Sequence, residues 1–321
     1  MKLGVLTNLL ADRPLEEALA YFASLGLECV EIGCGGYPGN DHCHAQRLLQ
    51  SPAEQKKFSD ALQANGLTLA ALAVHGNPVH PNKDIALRDR NSFEDAVLLA
   101  QKLGVETVVT FSGCPGDHEG ALYPNWAICP WPDDYEKIRR WQWEEVLIPY
   151  WKEAAAFATQ HGVRIALELH PGFSVYNPET LLRLREAAGD AIGANVDPSH
   201  LFWQGMDPCM AIRALRGAIH HFHAKDTRID AANTTVNGVL DAKNFTRETE
   251  RSWLFRTVGY GHDQQVWKDI ISELRLAGYD GAISIEHEDS LMLPTEGLEK
   301  AVEFLRPCIM KQAKNTNAWW A

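Results

Sequence analysis

The chain has 321 residues, 45% hydrophobic and 22% charged, an ordinary composition for a globular chain with a large buried core. Its formal charge of −12 leaves no basic stripe to neutralise phosphates and argues against a nucleic-acid partner, although it does not exclude a small phosphorylated substrate. Seven scattered cysteines without a CxxC pair (Cys29, Cys34, Cys43, Cys114, Cys129, Cys209 and Cys308) argue against a disulfide framework and for a reducing cytoplasm. The N-terminal apolar run is short and broken by Asn8 and Asp12, unlike a signal peptide. No stretch approaches the roughly 18 apolar residues of a membrane span.

In chain order, strand and helix patterns alternate eight times. The predicted strands are 2–8, 27–33, 67–75, 105–111, 164–170, 191–197, 218–224 and 282–287. They read as mostly apolar runs rather than strict alternations, as parallel strands covered on both faces do. Between them, Pro14 opens an amphipathic segment that Gly26 closes, and Ser51 to Glu54 resembles a capping box ahead of KKFSDALQANG. Longer helices are predicted over 83–103 and 135–161, each leading to a glycine, and further ones over 178–188, 207–216, 264–277 and 295–306. Eight such units without a compositional break predict an α/β fold of one domain, a (β/α)8 TIM barrel over 1–310 with a C-terminal tail at 311–321. No early GxGxxG marks a dinucleotide site, and CGGYPG at 34–39 reads as a wide loop that leaves room for a ligand.

Two connections exceed the usual 2–6 residues of a βα loop: 112–134 after the fourth strand and 228–262 after the seventh. Both fall on the C-terminal side of the strands, where barrel active sites assemble. Their aromatics, Tyr123, Trp126, Trp131, Trp253, Phe255 and Tyr260, either wall a pocket or pack the loops down.

Four successive strands run out into titratable groups: Glu168 with His170, Asp197 with His200, His223 with Lys225, Asp226 and Arg228, and Glu286 with His287. Glu168, Asp197, His223 and Glu286 supply the carboxylate and imidazole mixture that a hard or borderline divalent ion prefers. The gaps support the set: 29 and 26 residues are one βα unit each, and 63 is one unit plus the long loop. The competing reading is a structural network of ion pairs. By strand alternation His221 and His223 face one side and His220 the other, with His223 at the rim and His221 one layer lower.

VEIG at 30–33, ELHPG at 168–172, DPSH at 197–200, HFHAKD at 221–226 and SIEHED at 284–289 together resemble the xylose-isomerase-like TIM-barrel superfamily. That group includes sugar phosphate isomerases and epimerases, inosose dehydratases and ketose 3-epimerases, and the resemblance spans nearly the whole chain. It implies a divalent ion, among manganese, magnesium, cobalt and zinc with manganese favoured, held by Glu168, Asp197, His223 and Glu286. It also implies that Glu168 and Glu286 are the acid/base pair and that His200 contacts substrate. Arg228 is a loose match to an arginine of the ketose epimerases. Those enzymes carry a second glutamate shortly after the first ligand, whereas HPGFSVYNPE here has no acid before Glu179.

Lys225, His75, Asn77, His170 and His262 are further candidate substrate contacts; His170 is an alternative positioner of Glu168. His42, Cys43 and His44 lack partners at zinc-type spacing, and nothing beside Cys114 or Cys129 marks a nucleophile. The expected activity is a metal-dependent isomerase or epimerase moving a proton next to a carbonyl of a sugar or cyclitol. The alternative is a lyase, either a keto-inositol dehydratase or a 3-keto-glycoside deglycosidase. Less favoured are a non-catalytic sugar-binding subunit and an apurinic-site endonuclease, which needs more metal ligands and a basic face. NTNAWWA at 315–321 and the aromatic loops leave room for a homo-oligomer.

Overall fold

The computed structural model describes residues 1–312, so the terminal NTNAWWA and most of the expected tail lie outside the described residues. Eight parallel strands close into a barrel: β1 (Lys2–Leu6), β2 (Cys29–Gly33), β3 (Thr68–Ala73), β4 (Thr107–Thr110), β5 (Arg164–Glu168), β6 (Ile192–Val196), β7 (Ile219–Ala224) and β10 (Ala282–Ile285). Each lies within a strand predicted from the sequence. Between the barrel strands run α1 (Leu15–Ser24), α2 (Ala45–Gln50), α3 (Pro52–Ala64), α4 (Lys83–Leu103), α5 (Asp133–Trp141), α6 (Ile148–Gln160), α7 (Pro178–Ala188), α8 (Pro198–Trp203), α9 (Pro208–Ala214), α10 (Ala231–Asn237) and α11 (Gln264–Leu276), and α12 (Pro294–Leu305) follows β10. None of the helices among the described residues is long and apolar enough to cross a membrane.

The helix predicted over 135–161 is one run with a widened turn at Gln142–Leu147. Pro149 has no N–H to return to the carbonyl four residues back, and the looser turn just before it absorbs that missing bond. The capping box at Ser51 is half formed. Ser51 Oγ accepts the Glu54 N–H at 3.3 Å, but the Glu54 carboxylate turns to Arg47 instead, at 2.8 Å.

The largest departure from the sequence reading lies after β7. The segment taken as a loop over 228–262 begins with an antiparallel pair, β8 (Asp226–Ile229) against β9 (Trp253–Arg256), and contains α10. Four residues reading Asp-Thr-Arg-Ile, one position after a barrel strand, give no apolar run to detect. The insert carries its own small core, in which Trp203 from α8 stacks on Trp253 (ring centroids 4.6 Å, 6° between planes) and Phe255 joins them.

The base of the insert is clasped by Asp226. Its carboxylate accepts the backbone N–H groups of Thr227, Gly259, Gly261 and His262 at 2.8–3.1 Å, the His262 ring at 2.7 Å and Trp267 Nε1 at 3.4 Å. Gly261 is required there, because a Cβ would sit 2.3 Å from the Thr227 carbonyl oxygen. Asp289 ties the segment after β10 to the same insert, accepting from Arg256 Nε at 3.1 Å and from the Thr257 N–H at 2.8 Å.

Candidate metal centre

The parallel register sets the heights of the side chains. Glu168 ends β5 opposite Asn195 of β6, and His223 of β7 pairs with Ser284 of β10. Asp197 and Glu286 follow the last residues of their strands, so all four predicted ligands meet at the C-terminal mouth. One ligand atom from each of Glu168, Asp197, His223 and Glu286 lies within 4.8 Å of every other. The first three are buried and Glu286 is half-buried.

Local geometry aims each group. Asp197 caps α8, its Oδ1 accepting the Ser199 N–H at 2.9 Å, which leaves Oδ2 for the centre. Glu168 is held on both oxygens. His200 Nε2 donates to Oε1 at 3.1 Å, and His75 Nε2 and Asn195 Nδ2 donate to Oε2 at 3.0 and 3.2 Å. His223 Nδ1 lies 3.0 Å from Glu286 Oε2 and 3.4 Å from Glu168 Oε2. Lys225 Nζ stands among the acids, 3.1 Å from Asp197, 2.9 Å from Glu286 and 3.0 Å from Glu288, over the face of Phe255.

The electrostatics differ from acid to acid. Burial alone would raise the Glu168 carboxyl, yet hydrogen bonds from His200 and His75 and the nearby His223 ring hold it well below the usual range. Burial is likewise outweighed at Glu286, where Lys225 and His223 bring the carboxyl down to about 2. Asp197 goes the other way, pushed up to about 6 by burial that Lys225 only partly offsets. Burial and the neighbouring His200 take His170 down to about 4, and burial with the Lys225 charge also lowers His200.

Two atoms facing this centre are buried without a well-formed hydrogen bond among the described residues, His223 Nδ1 and Asp197 Oδ2. Buried polar atoms are rarely left so. Three carboxylates and one imidazole are a donor set suited to a divalent cation, so the residues present fit the ion that the sequence implies.

Of the other predicted contacts, His75, His170, His200 and Lys225 surround the centre. The His170 ring lies 4.0 Å from that of His200 and edge-on to Phe111. Two are placed elsewhere. Arg228 is exposed on β8 opposite Leu254, and His262 is bound by Asp226 and stacks on Phe202 at 3.6 Å. Asn77 is also committed, because both ends of its amide bind the backbone of Cys114 and anchor the loop after β4. Among the loop aromatics Phe255 reaches the centre, 5.3 Å from His200, whereas Tyr123 and Trp131 are more than 70% exposed. His42 donates to the Arg13 carbonyl, and burial pushes the Cys114 thiol up to about 12, far from a nucleophile.

Sequence reasoning missed Glu31, Glu288 and the Phe111–Phe173 stack. Glu31 is completely buried in β2, where it accepts from His221, His223 and Ser284. Its signal was a lone acid in an apolar strand, CVEIG. Glu288 follows Glu286 by two residues and so shares its side of the strand end. Phe111 and Phe173 stack at 4.2 Å, from connections far apart in sequence.

The fold is a closed (β/α)8 barrel with a buried cluster of carboxylates and imidazoles at its C-terminal mouth. The chain belongs to the xylose isomerase-like TIM barrel family, whose model matches residues 19–308. It is 41% identical over 312 residues to Uncharacterized protein YfiH of Bacillus subtilis (strain 168), covering 96% of this chain and 99% of that one. It is 26% identical over 168 residues to an inosose dehydratase of Geobacillus thermodenitrificans (strain NG80-2), covering 51% of this chain and 54% of the relative. Among solved structures, the IolI protein with a bound zinc atom superposes with a TM-score of 0.66 at 17% identity, covering 96% of this chain and 98% of that one. The 3-keto-D-glucoside 4-epimerase YcjR of E. coli gives 0.65 at 14% identity, covering 96% and 100%. At these identities the structural likeness is one of fold.

Proposed function

We propose that this chain is a divalent-metal-dependent isomerase or epimerase acting on a sugar or cyclitol, with Glu168, Asp197, His223 and Glu286 as the metal ligands. The observation that carries the reading is the convergence of four ligand atoms within 4.8 Å at a site where His223 Nδ1 and Asp197 Oδ2 have no hydrogen bond of their own. Manganese is the first ion to test and zinc the second, the latter because of the ion in IolI. A bound divalent ion supplies Lewis acidity, which polarises a carbonyl and acidifies the neighbouring C–H.

The chain's own groups do the rest. Glu168 and Glu286 flank His223 and are both held ionised, so either carboxylate takes a proton from carbon; that proton is returned from the same carboxylate, or the opposite one returns a proton that it has first gained from solvent. Glu286 is half-buried and is held by Lys225 rather than by the three donors that fix Glu168. His170 and His200 are kept neutral, and because the one N–H of each is given to the Pro171 carbonyl and to Glu168, the other ring nitrogen accepts from a substrate hydroxyl. Lys225 holds a substrate oxygen next to Asp197 and Glu286. All seven cysteines are free, which suits work in a reducing cytoplasm.

Deuterium uptake from heavy water into a panel of keto-sugars and keto-cyclitols tests the reading. Uptake should depend on added metal and disappear in Glu286→Gln; a metal-loaded chain that exchanges nothing on a broad panel refutes it. A second reading, a lyase, is favoured by Lys225 lying over Phe255 beside the centre, where an ammonium would assist a departing oxygen, and by the identity with the inosose dehydratase. Expulsion of a β-leaving group then replaces return of the proton. A new enone absorbance, or release of an aglycone, separates the two.

A further inference from the structure

The mechanism above leaves one buried charge unused. Glu31 lies in the middle of β2, sealed from solvent, and its carboxylate gathers three side chains from two other strands. His221 Nε2 stands 2.8 Å from Oε2, His223 Nε2 lies 3.1 and 3.0 Å from the two oxygens, and the Ser284 hydroxyl donates to Oε2 at 2.8 Å. A carboxylate in such a place is costly unless every lone pair is answered. Here both oxygens are answered, by two histidine nitrogens and a serine hydroxyl.

An ionised carboxylate accepts and cannot donate, so each histidine must present an N–H through Nε2. A histidine that ligates a metal is neutral, so for His223 the proton on Nε2 leaves Nδ1 as the ligating nitrogen. That nitrogen faces Glu168, Asp197 and Glu286 and is buried without a hydrogen-bond partner among the described residues. The reverse tautomer would press a lone pair against both Glu31 oxygens, where Ser284 and His221 leave no room for a cation, whereas a bare Nδ1 facing Glu286 and Glu168 is satisfied by the metal itself. His221 and Ser284 add a second constraint. Together they pin Oε2 one layer below the centre, so that Glu31 orients a ligand without swinging up to become one.

We propose that Glu31 is a positioning residue for the metal, selecting Nδ1 of His223 as the ligating atom through a carboxylate–imidazole pair that His221 and Ser284 lock in place. The inference rests on the metal-binding reading of the four ligands above. Outer partners of this kind are worth about 10–100-fold in metal affinity, which sets the expected effect.

Calorimetric titration of the metal-free wild type and Glu31→Gln with Mn²⁺ and Zn²⁺ gives the test, with thermal unfolding in chelator to report the fold. A folded Glu31→Gln that binds about 10–100-fold more weakly supports the proposal. His221→Asn, which removes one donor to Glu31 without touching His223, should lose less. Wild type and variant binding with equal affinity overturns the positioning role alone, whereas a wild type that binds neither ion overturns the metal reading and this inference with it. Should Glu31→Gln fail to fold, nitrogen NMR on the zinc-loaded, ¹⁵N-histidine-labelled wild type decides, with His223 assigned through His223→Gln. A protonated Nε2 with metal-shifted Nδ1 supports the proposal; zinc on Nε2 overturns it.

Discussion

The two nitrogens of His223 look into unlike regions of the barrel. On the Nε2 side Glu31 is met by His221, His223 and Ser284, and the group is answered in full. On the Nδ1 side three carboxylates, one ammonium and two histidines crowd together, yet His223 Nδ1 and Asp197 Oδ2 have only charged neighbours and no well-formed hydrogen bond. Both regions are buried and rich in charge, so neither property separates them. Saturation does. A buried polar cluster whose hydrogen bonds close on themselves is built to hold a shape, and one left open is built to receive something.

Perturbing the open side should give the largest effect. Chelation of the metal, or Glu286→Gln, is expected to cut proton exchange by about 10²–10⁴-fold while the chain stays folded, measured by deuterium uptake and circular dichroism. Equal loss of fold and activity would erase the distinction drawn here. Lys225→Met comes next. It leaves Asp197, Glu286 and Glu288 facing one another without their shared cation, and the metal-free chain should lose about 3–5 kcal/mol in denaturant unfolding. Added Mn²⁺ should restore most of that loss, and a deficit indifferent to metal would break the assignment.

Asp226 is a second saturated carboxylate, and it sharpens the comparison from the closed side. Asp226→Asn turns an N–H donor toward the backbone N–H groups of Gly259, Gly261 and His262, and should cost about 3 kcal/mol. Faster proteolysis within 226–262, with metal affinity unchanged, is the expected pattern. The smallest effect concerns His220, on the opposite face of β7, packed over Gly193 and lowered to about 4 by burial. The unfolded chain takes up this proton near pH 6.5 and the folded chain only near 4, so stability should fall as pH drops between those values. The loss is on the order of 2 kcal/mol, read as the difference between wild type and His220→Asn in urea unfolding at pH 7 and pH 4.5.

Much of this was legible in the chain. The strand ends at Glu168, Asp197, His223 and Glu286 stand out because an apolar run that stops at an acid or a histidine has few other meanings in a parallel barrel. His221 fell one layer below His223, as a two-residue period requires. Arg228 misled because it follows HFHAKD in sequence but lies on β8, which turns away from the centre, and His262 because the Gly-rich turn that carries it aims the ring at Asp226. Asn77 misled for another reason. An exposed-looking polar residue in a loop also has backbone to anchor, and here it does so at Cys114.

The sequence by itself determined the eight-unit barrel and the identity of the four groups at its mouth, since strand period, helix ends and residue chemistry are local properties. Tertiary structure alone decided what those groups do to one another. Glu31 and His223 are 192 residues apart, and only barrel closure and strand register bring them within 3.0 Å. The same closure sets Lys225 among three acids and seats the insert on Asp226. A hydrogen bond depends on tenths of an ångström between distant strands, and no spacing along a chain encodes that distance.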